Sequence, residues 1–277
     1  MIFSISLGAS GKKVSKMLDK AWKPAPEILF SHSADDLINN AGHVSVIVTN
    51  YNYEEYVTEC LNSILNQAHK TLSLVVIDDD SRKDSSVKKI SEWMEENKDR
   101  FFSIKLLKNI INQGPSASRN TAIEYCPSDT IFIMDADNTI MTTAIAKLHD
   151  CLQRSDAQGV YCQIVEFGDR NQIGSADLWD VERMYLHNYV DIMAMMKKPA
   201  WAQVGGFSHI EEGWEDYDFW LKFIDHGIDM VFLPEILCRY RVHGVSRTAT
   251  EAHKSHYDLE IIMKYRHPGH PKIKEYK

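Results

Sequence analysis

The sequence has no long run of apolar residues, which argues against a membrane-embedded protein. No stretch of the chain approaches the roughly 18 apolar residues that a membrane-spanning helix needs. Residues 1–11 are mildly apolar but have neither a basic start nor a cleavage pattern, so no secretory signal is expected. With 44% hydrophobic and 25% charged residues, the composition is typical of globular domains. A cytoplasmic location is the default expectation.

Cysteine and positive charge are also scarce. The 277-residue chain has five cysteines and no Cys-x-x-Cys pair, which argues against a disulfide framework and a structural zinc site. The formal net charge is -8. Since binding to a phosphate backbone normally requires a basic surface, nucleic-acid binding is not expected. An anionic ligand would need a local source of positive charge, such as a metal ion.

Strand and helix patterns alternate regularly from residue 43 onward. Apolar, β-branched segments predict strands at 44–49, 72–77, 104–107 and 130–134. Helical spacing of apolar residues predicts helices at 54–67 and 85–97, and Gly114-Pro115 marks the start of a helix predicted at 116–124. Repeated β-α-β units indicate an α/β fold with a parallel sheet and helices on both faces. The later pattern is less regular and predicts helices at 142–153 and 214–226 and strands at 160–167 and 230–232.

The same pass along the chain divides it into three parts. Residues 1–42 are predicted to be an N-terminal extension with one short helix at 12–22, and residues 43–248 to be the folded domain. Residues 249–277 form a basic C-terminal tail, in which the charged positions include Lys254, Lys264 and Lys272. A solvated tail and peripheral contact with acidic lipid both remain open for this segment.

Two carboxylates, Asp135 and Asp137, follow the apolar strand predicted at 130–134. Charges at the end of a buried strand must be solvated, paired or bound to a cation. In open α/β sheets this end is also where ligands bind. Carboxylate oxygens suit Mg²⁺ or Mn²⁺. The alternative is an ordinary acidic turn.

Three more polar clusters follow predicted strands, at 49–52, 78–80 and 112–120. In the last of these, Gly114 allows close approach of the backbone to a ligand and Pro115 suits the start of a helix. Arg119 on the first turns of that helix would stabilise a bound nucleotide. The alternative is that Arg119 pairs with an aspartate of the 78–80 cluster and supports the site.

The order of these clusters resembles the nucleotide-sugar half of the GT-A-fold family 2 glycosyltransferases. The motifs that carry the resemblance are Thr49-Asn-Tyr-Asn52, Asp78-Asp-Asp80, Gly114-Pro-Ser-Ala-Ser-Arg-Asn120 and Asp135-Ala-Asp137, followed by Trp201-Ala-Gln-Val-Gly-Gly-Phe207, Glu215-Asp-Tyr-Asp-Phe-Trp220 and Tyr240-Arg-Val-His243. The chain departs from the family pattern in three places. Asp80 stands where glycine is usual, Ser118 where alanine is frequent, and Asn50 extends the first turn.

The resemblance implies a Rossmann-like GT-A fold with a mostly parallel central sheet flanked by helices. Its nucleotide-sugar half would be 43–138, and a less regular acceptor half would be 139–248. The donor-binding residues implied are Thr49, Tyr51, Asp78, Asp79, Asn112, Gly114, Arg119, Asp135 and Ala136. Tyr51 would pack near uracil or ribose, and Asp78 or Asp79 would accept a hydrogen bond from the uracil N3–H.

The resemblance also implies a metal site and a catalytic base. Asp135, Asp137 and His243 would hold Mn²⁺ or Mg²⁺, and the histidine nitrogen favours Mn²⁺. A locally hydrogen-bonded loop imidazole is the alternative for His243. Asp216 is the candidate general base, and Glu215 would orient the acceptor or support the loop. Acidic residues at a helix start also have a purely structural interpretation.

The implied activity is metal-dependent, inverting transfer of a hexose-like sugar from a UDP-sugar to a saccharide or glycoconjugate acceptor, in polysaccharide or glycoconjugate biosynthesis. Trp214 is expected to face that acceptor, whereas Phe219, Trp220 and Phe223 are expected in the core. A nucleotidyltransferase would also present carboxylates and a metal beside a nucleotide. A non-catalytic nucleotide-sugar-binding scaffold is the remaining alternative, suggested by Asp80 and the N-terminal extension.

Overall fold

A large mixed sheet with helices on both faces organises the molecule in this computed structural model, which describes residues 26–34, 42–210, 213–244 and 256–267. The strands are β1 Pro26–Ser33, β2 Val44–Asn50, β3 Leu72–Asp78, β4 Ser103–Asn109, β5 Thr130–Asp135, β6 Thr139–Ile140, β7 Gly159–Gly168, β8 Ala194–Lys197 and β9 Met230–Val242. The helices are α1 Val57–Leu65, α2 Ser86–Asn97, α3 Pro115–Glu124, α4 Ala144–Gln153, α5 Val181–Met184, α6 Lys198–Gln203, α7 Glu215–Asp225 and α8 His256–Arg266, with a 3-10 turn at Lys98–Arg100.

The strand order is β1-β4-β3-β2-β5-β8-β7-β9-β6 within the described residues. Strands β4, β3, β2 and β5 are mutually parallel, as the β-α-β pattern predicts. Strands β1, β8 and β6 run antiparallel to their neighbours. The expected α/β fold with a helix-flanked central sheet is confirmed, and its second half mixes strand directions.

Alternate residues of the central strands supply two separate cores. Val46 and Leu74 pack into the layer that contains α1, α2 and α4. Ile47 and Val75 point the other way, into the layer of α3, α7 and α8. Every residue of β2 and of β3 is buried, which explains their nearly continuous apolar sequence, because a central strand is covered on both faces.

The aromatic side chains of α7 belong to the core, as predicted. Phe219, Trp220 and Phe223 are fully buried. The rings of Phe219 and Phe207 stack with their centroids 4.0 Å apart. Burying one such side chain contributes about 1.5–3 kcal/mol to folding. This packing holds the beginning of α7 in place beneath the site described below.

Four main features differ from the pattern-based expectations, apart from the short elements β6, α5 and α6, which were not predicted. Strand β1 lies within the predicted N-terminal extension and forms a sheet edge, where a strand that starts at Pro26 is tolerated. Strand β8 was missed, and β9 is much longer than 230–232. In β9 the pairing skips Pro234 and Glu235, because a bulge there accommodates a proline that interrupts the strand pattern.

The fourth difference is α8, which lies in the segment predicted to be a tail. Leu259, Ile262 and Met263 of α8 are buried. The Arg266 guanidinium donates to the Asp218 carboxylate of α7. The helix expected at 12–22 lies outside the described residues. None of the helices that the structure describes is long and apolar enough to cross a bilayer.

Candidate active site

A cavity of about 1260 Å³ opens where β2, β3 and β5 end and α7 begins. It brings together most of the predicted site residues: Thr49, Tyr51, Asp79, Asn112, Gly114, Arg119, Asp135, Asp137, Glu215 and Asp216. The side chains of Asp78, Ala136 and His243 do not line it. A smaller cavity of about 600 Å³ between β1 and α2 contains none of the predicted site residues.

Asp78, at the end of β3, is fully buried beneath the cavity floor. Its carboxylate accepts hydrogen bonds from the Ser81 backbone N–H at 2.8 Å and from the Asn50 amide at 2.7 Å. Burial raises the pKa of Asp78, and these hydrogen bonds partly oppose that shift. Asp78 therefore supports the turn after β3. Of the two aspartates considered for the uracil contact, only Asp79 lines the cavity.

Asp79 lines the cavity and holds the loop between β4 and α3. Its Oδ1 accepts from the Asn109 amide at 2.7 Å and from the Gln113 backbone N–H at 2.9 Å. Its Oδ2 accepts from the Gly114 N–H at 2.7 Å. A carboxylate offers about four acceptor sites, so one site on Oδ2 is left for a ligand.

The unusual Asp80 has a backbone explanation. Its φ is +63°, a left-handed conformation in which glycine is common and aspartate is among the better tolerated residues. The Asp80 carboxylate accepts from Arg82 Nε at 2.8 Å. The departure from the family pattern is thus compatible with the same turn.

Ala136 serves the site through its backbone. Its methyl group is buried in the sheet core, while its N–H donates to the Thr49 carbonyl at 3.0 Å. The Thr49 hydroxyl in turn donates to Asp135 Oδ1 at 2.5 Å. The ends of β2 and β5 are therefore fastened together at the cavity.

Arg119 links the two halves of the molecule. One guanidinium nitrogen contacts both oxygens of Asp135 at 3.0 and 3.1 Å, and another donates to Glu215 Oε1 at 3.0 Å. The side chain is only 4% exposed. Burial lowers its pKa, but the two carboxylates outweigh burial and raise the pKa above its ordinary value. Arg119 thus pairs with these carboxylates and not with Asp78 or Asp79.

Asp137 and His243 form the second polar pair of the site. His243 Nε2 lies 2.9 Å from Asp137 Oδ2, and the imidazole packs against the rings of Tyr53 and Tyr56. Burial raises the pKa of Asp137, and Asp135 raises it further, against the opposing effect of His243. The pair combines a carboxylate that lines the cavity with an imidazole that lies outside the cavity lining.

This pair suits a divalent cation. The Nδ1 of His243 is buried and finds no hydrogen-bond partner among the described residues, so the ring is not tied into a complete hydrogen-bond network. No group of three or more His, Cys, Asp or Glu side chains arranged to hold a metal occurs in the described part of the chain. Asp135 is occupied by Arg119 and Thr49, which leaves Asp137 and His243 as the candidate protein ligands.

Asp216 lies on the acceptor side, in the first turn of α7. Its Oδ2 accepts from the Asn188 amide at 2.9 Å, and its Oδ1 accepts from the Tyr217 backbone N–H at 2.8 Å. Burial, together with the neighbouring Glu215 carboxylate, raises the pKa of Asp216 to about 6. A carboxylate with this pKa is ionised at pH 7 and is more basic than an exposed aspartate.

Trp214 precedes α7 in a strained conformation. Its φ of +61° is left-handed, which is rare for a bulky residue and is found mainly at functional sites. The indole lines the cavity, as expected for a residue facing the acceptor. This turn directs the first residues of α7 toward the cavity.

Gly206 has a packing role in the acceptor half. With a φ of +70°, a Cβ there would lie 2.6 Å from Asn120 Oδ1. That oxygen accepts from Trp201 Nε1 at 2.9 Å and from the Phe207 N–H at 2.8 Å. The glycine therefore allows the turn before Phe207 to dock on α3.

Several cavity residues were missed by the sequence analysis, namely Glu166, Arg170, Asn188, Tyr189 and Asp191. They come from the end of β7 and from the irregular segment before β8, where no periodicity marks them. The one available signal was the position of Asp191, an acidic residue immediately before the apolar run that becomes β8.

A cavity at the carboxyl edge of an α/β sheet, lined by carboxylates and amides, is typical of a nucleotide-dependent enzyme. The chain belongs to glycosyl transferase family 2, because the family model matches residues 45–209. The protein is therefore a glycosyltransferase of this family.

Curated relatives agree with this assignment. An uncharacterized glycosyltransferase of Haemophilus influenzae is 30% identical over 244 residues, which cover 82% of this chain and 74% of the relative. One from Methanocaldococcus jannaschii is 24% identical, over 80% of this chain and 79% of the relative.

Solved structures share the fold. S. aureus TarS 1-349 in complex with UDP-GlcNAc superposes with a TM-score of 0.66 at 18% identity, over 79% of this chain. A mannosyltransferase from Pyrobaculum calidifontis, in complex with GDP-Man and Mn2+, has a TM-score of 0.58 at 20% identity, over 86% of this chain. This chain spans 65% of each of those chains. The GT-A architecture expected from the motifs is confirmed.

Proposed function

We propose that this glycosyltransferase is a metal-dependent, inverting enzyme that transfers a sugar from a UDP-sugar to a hydroxyl group of a saccharide or glycoconjugate. The observation that carries the proposal is that one cavity contains Asp79, Asp137 and Asp216. The neighbours with UDP-GlcNAc, and with GDP-Man and Mn2+, support a nucleotide-sugar donor and a divalent cation. The cytoplasmic location expected from the composition belongs to the same proposal.

The nucleotide would occupy the side of the cavity formed by the ends of β2 and β3. Asp79 Oδ2 has one acceptor site left after its bond to Gly114, and it would accept the uracil N3–H. Tyr51 lines the same wall and is 45% exposed, so its ring is available to pack on the base or ribose. Uracil and thymine carry an N3–H donor, whereas cytosine has an acceptor at N3.

The diphosphate would lie beside Asp137 and His243, which would hold Mn²⁺ or Mg²⁺ together with phosphate oxygens. When bound, the metal supplies positive charge that stabilises the negative charge developing on the leaving diphosphate. Arg119 neutralises Asp135 at the same edge. Because the chain has a net charge of -8 and few cations lie at this edge, a bound metal ion would supply the positive charge that an anionic donor needs.

Asp216 would act as the general base. The acceptor hydroxyl would pass its proton to the Asp216 carboxylate as its oxygen attacks the anomeric carbon, and the bond between that carbon and the diphosphate oxygen would break. One displacement of this kind inverts the anomeric centre. The Asn188 amide holds Asp216 Oδ2, which fixes the orientation of the carboxylate. With a pKa of about 6, Asp216 is ionised at neutral pH and close to the optimum for a base.

A panel of nucleotide sugars, assayed for nucleotide release with Mn²⁺ and with a chelator, tests the proposal. We expect a UDP-sugar to be the best donor, UDP to be the product, and the chelator to abolish release. Pyrophosphate release from a nucleoside triphosphate would instead indicate a nucleotidyltransferase. Binding of UDP without any transfer would indicate a scaffold.

The metal site has its own test. Calorimetry should show that Mn²⁺ strengthens UDP binding to the parent protein and that Asp137→Ala removes most of this effect. Asp150→Ala is a matched control, because Asp150 is exposed on α4 and pairs with Arg154 across one helical turn. Equal UDP affinity with metal, with chelator and in Asp137→Ala would eliminate the proposed site.

A further inference from the structure

The acceptor end of the cavity contains a carboxylate that belongs to none of the recognised motifs. Asp191 lines the cavity together with Asp216, Trp214 and Tyr189. The mechanism above assigns no task to Asp191. Its position in the same cavity as the candidate base raises the question of which acceptor this wall would accept.

The backbone around Asp191 is rigidly held. Val190 and Ile192 are buried on either side of it, and the Val190 carbonyl accepts from Trp220 Nε1 at 3.0 Å. The Asp191 Oδ1 accepts from the Met193 N–H at 2.8 Å. The carboxylate is therefore a fixed feature of the cavity wall.

The same short segment also holds the candidate base. The Asn188 amide nitrogen donates to Asp216, and the Asn188 amide oxygen accepts from the Val190 N–H at 3.1 Å. Asp191 follows directly. Residues 188–191 therefore connect the two carboxylates, which line the same cavity.

Negative charge is already in excess at this end of the cavity. Burial raises the pKa of Asp191 to about 7, and Asp216 and Asp135 raise it while Arg119 opposes them. The carboxylates of this wall therefore repel one another. An added phosphate or carboxylate group would meet further repulsion.

The two arginines of the described cavity lining are already paired with carboxylates. Arg119 is engaged by Asp135 and Glu215. Arg170 donates two hydrogen bonds to the Glu166 carboxylate. Lys83 lies in the loop after β3, on the nucleotide side. A phosphate-bearing acceptor would therefore find no unengaged arginine on this wall.

We propose that Asp191 is a specificity-determining residue that binds an acceptor hydroxyl and selects an uncharged, hydroxyl-rich saccharide over one that carries phosphate. Either protonation state of a carboxyl group can pair with a hydroxyl, as acceptor or as donor. Trp214 lines the same cavity, and its indole suits the apolar face of a neutral sugar ring. This inference rests on the proposed function and names the acceptor class for the same site.

The test compares matched acceptors in the full-length protein with its best donor and Mn²⁺. The probes are the methyl glycosides of glucose, galactose and N-acetylglucosamine, the 6-phosphates of the same glycosides, and the cationic methyl glucosaminide. We expect at least one neutral glycoside to stimulate nucleotide release, with a kcat/KM roughly tenfold or more above that of its 6-phosphate, since like charges at a binding site cost several kcal/mol.

Two variants assign the selectivity to Asp191. Asp191→Asn should raise the KM for the neutral acceptor roughly tenfold, since a hydrogen bond to a charged group contributes about 1.5–3 kcal/mol. It should also bring the kcat/KM values for the neutral and phosphorylated probes closer together. A simple loss of stability would not change the ratio of these two values. Asp156→Asn, at an exposed position outside the cavity, removes the same charge and should change neither value.

Several results would overturn the inference while leaving the proposed function intact. One such result is that a 6-phosphate or the methyl glucosaminide performs as well as the neutral glycosides. Another is that no neutral glycoside stimulates nucleotide release. The third is that Asp191→Asn leaves the ratio of kcat/KM between neutral and phosphorylated probes unchanged. Calorimetry with UDP and Mn²⁺ distinguishes failure of the inference from failure of the proposed function. If the parent protein neither binds UDP nor releases it from any donor, the proposed function itself fails and the inference fails with it.

Discussion

The aspartates that end or follow β3, Asp78 and Asp79, differ in their partners from Asp191 and Asp216 near the start of α7. Asp79 accepts three hydrogen bonds from the end of β4 and the loop that follows it. At Asp78, hydrogen bonds oppose the effect of burial on the pKa. At Asp191 and Asp216, neighbouring carboxylates add to burial, and the pKa values rise to about 7 and about 6.

This difference follows from the two architectures. Parallel strands end beside loops whose backbone N–H groups and amides surround a carboxylate, so that it becomes part of the framework. Asp191 and Asp216 come together from an irregular segment and α7, with fewer donors around each. Asp78 and Asp79 therefore shape the site, whereas the pKa values of Asp191 and Asp216 lie closer to neutral pH.

The strongest test of this contrast is Asp216→Asn. We expect turnover to fall by roughly two to four orders of magnitude, the usual contribution of a positioned general base. UDP affinity and melting temperature should stay near the parent values, because the amide has nearly the same shape. Near-parental turnover with a working acceptor would reject Asp216 as the base and direct attention to Glu215 or Asp191.

Arg119 is the point at which the two halves depend on one another. Arg119→Met should lower the free energy of unfolding by about 3–5 kcal/mol, because it leaves buried carboxylates without their partner. Arg154→Met is the matched control, since this exposed arginine pairs with Asp150 one helical turn away and should contribute about 0–1 kcal/mol. Denaturant unfolding measures both, and equal losses would contradict the bridging role.

Within the donor half, Asp78→Asn and Asp79→Asn should have different effects. Asp79→Asn should weaken UDP binding by about 1–3 kcal/mol, the cost of disturbing buried hydrogen bonds, and relax the preference for UDP over CDP and GDP. Asp78→Asn should lower stability and leave that preference unchanged. Calorimetry with UDP, CDP and GDP measures the nucleotide preference of both variants. A relaxed preference in Asp78→Asn alone would refute the assignment of uracil recognition to Asp79.

The smallest expected effect concerns pH. In the parent, kcat/KM should fall as the pH drops below about 6, because Asp216 then becomes protonated. In Glu215→Gln this acidic limb should move to lower pH, since the carboxylate that raises the Asp216 pKa is gone and Arg119 is less neutralised. A pH–rate profile with one donor and acceptor measures the shift, and an identical limb in both proteins would contradict it.

Much of the donor half was predictable from local pattern. The strands β2 to β5 and the helices between them agree with the predictions to within a few residues. The central strands are buried on both faces, and α1 and α2 each bury one apolar face. The turn after β5 and the loop before α3 were also found, since glycine, proline and paired aspartates mark them. The core positions of Phe219, Trp220 and Phe223 were also predicted.

The misses share a physical cause. Strand β8 and the segment with Asn188 and Asp191 have no regular periodicity, and β9 is interrupted by Pro234. Helix α8 was hidden because its charged residues dominate the composition of the tail, although Leu259 and Met263 are buried. Such elements are stabilised by long-range packing, which a local pattern does not contain.

The amino-acid sequence alone determined the class of fold, the family and the set of candidate carboxylates, because periodicity and motif order are local properties of the chain. Only the tertiary structure decided which role was open to each of them. Folding buried Asp78 and joined Arg119 to Asp135 and Glu215. It also placed Asp191 in the same cavity wall as Asp216. Burial and partners depend on residues far apart in the chain, and these two quantities determine what a carboxylate can do.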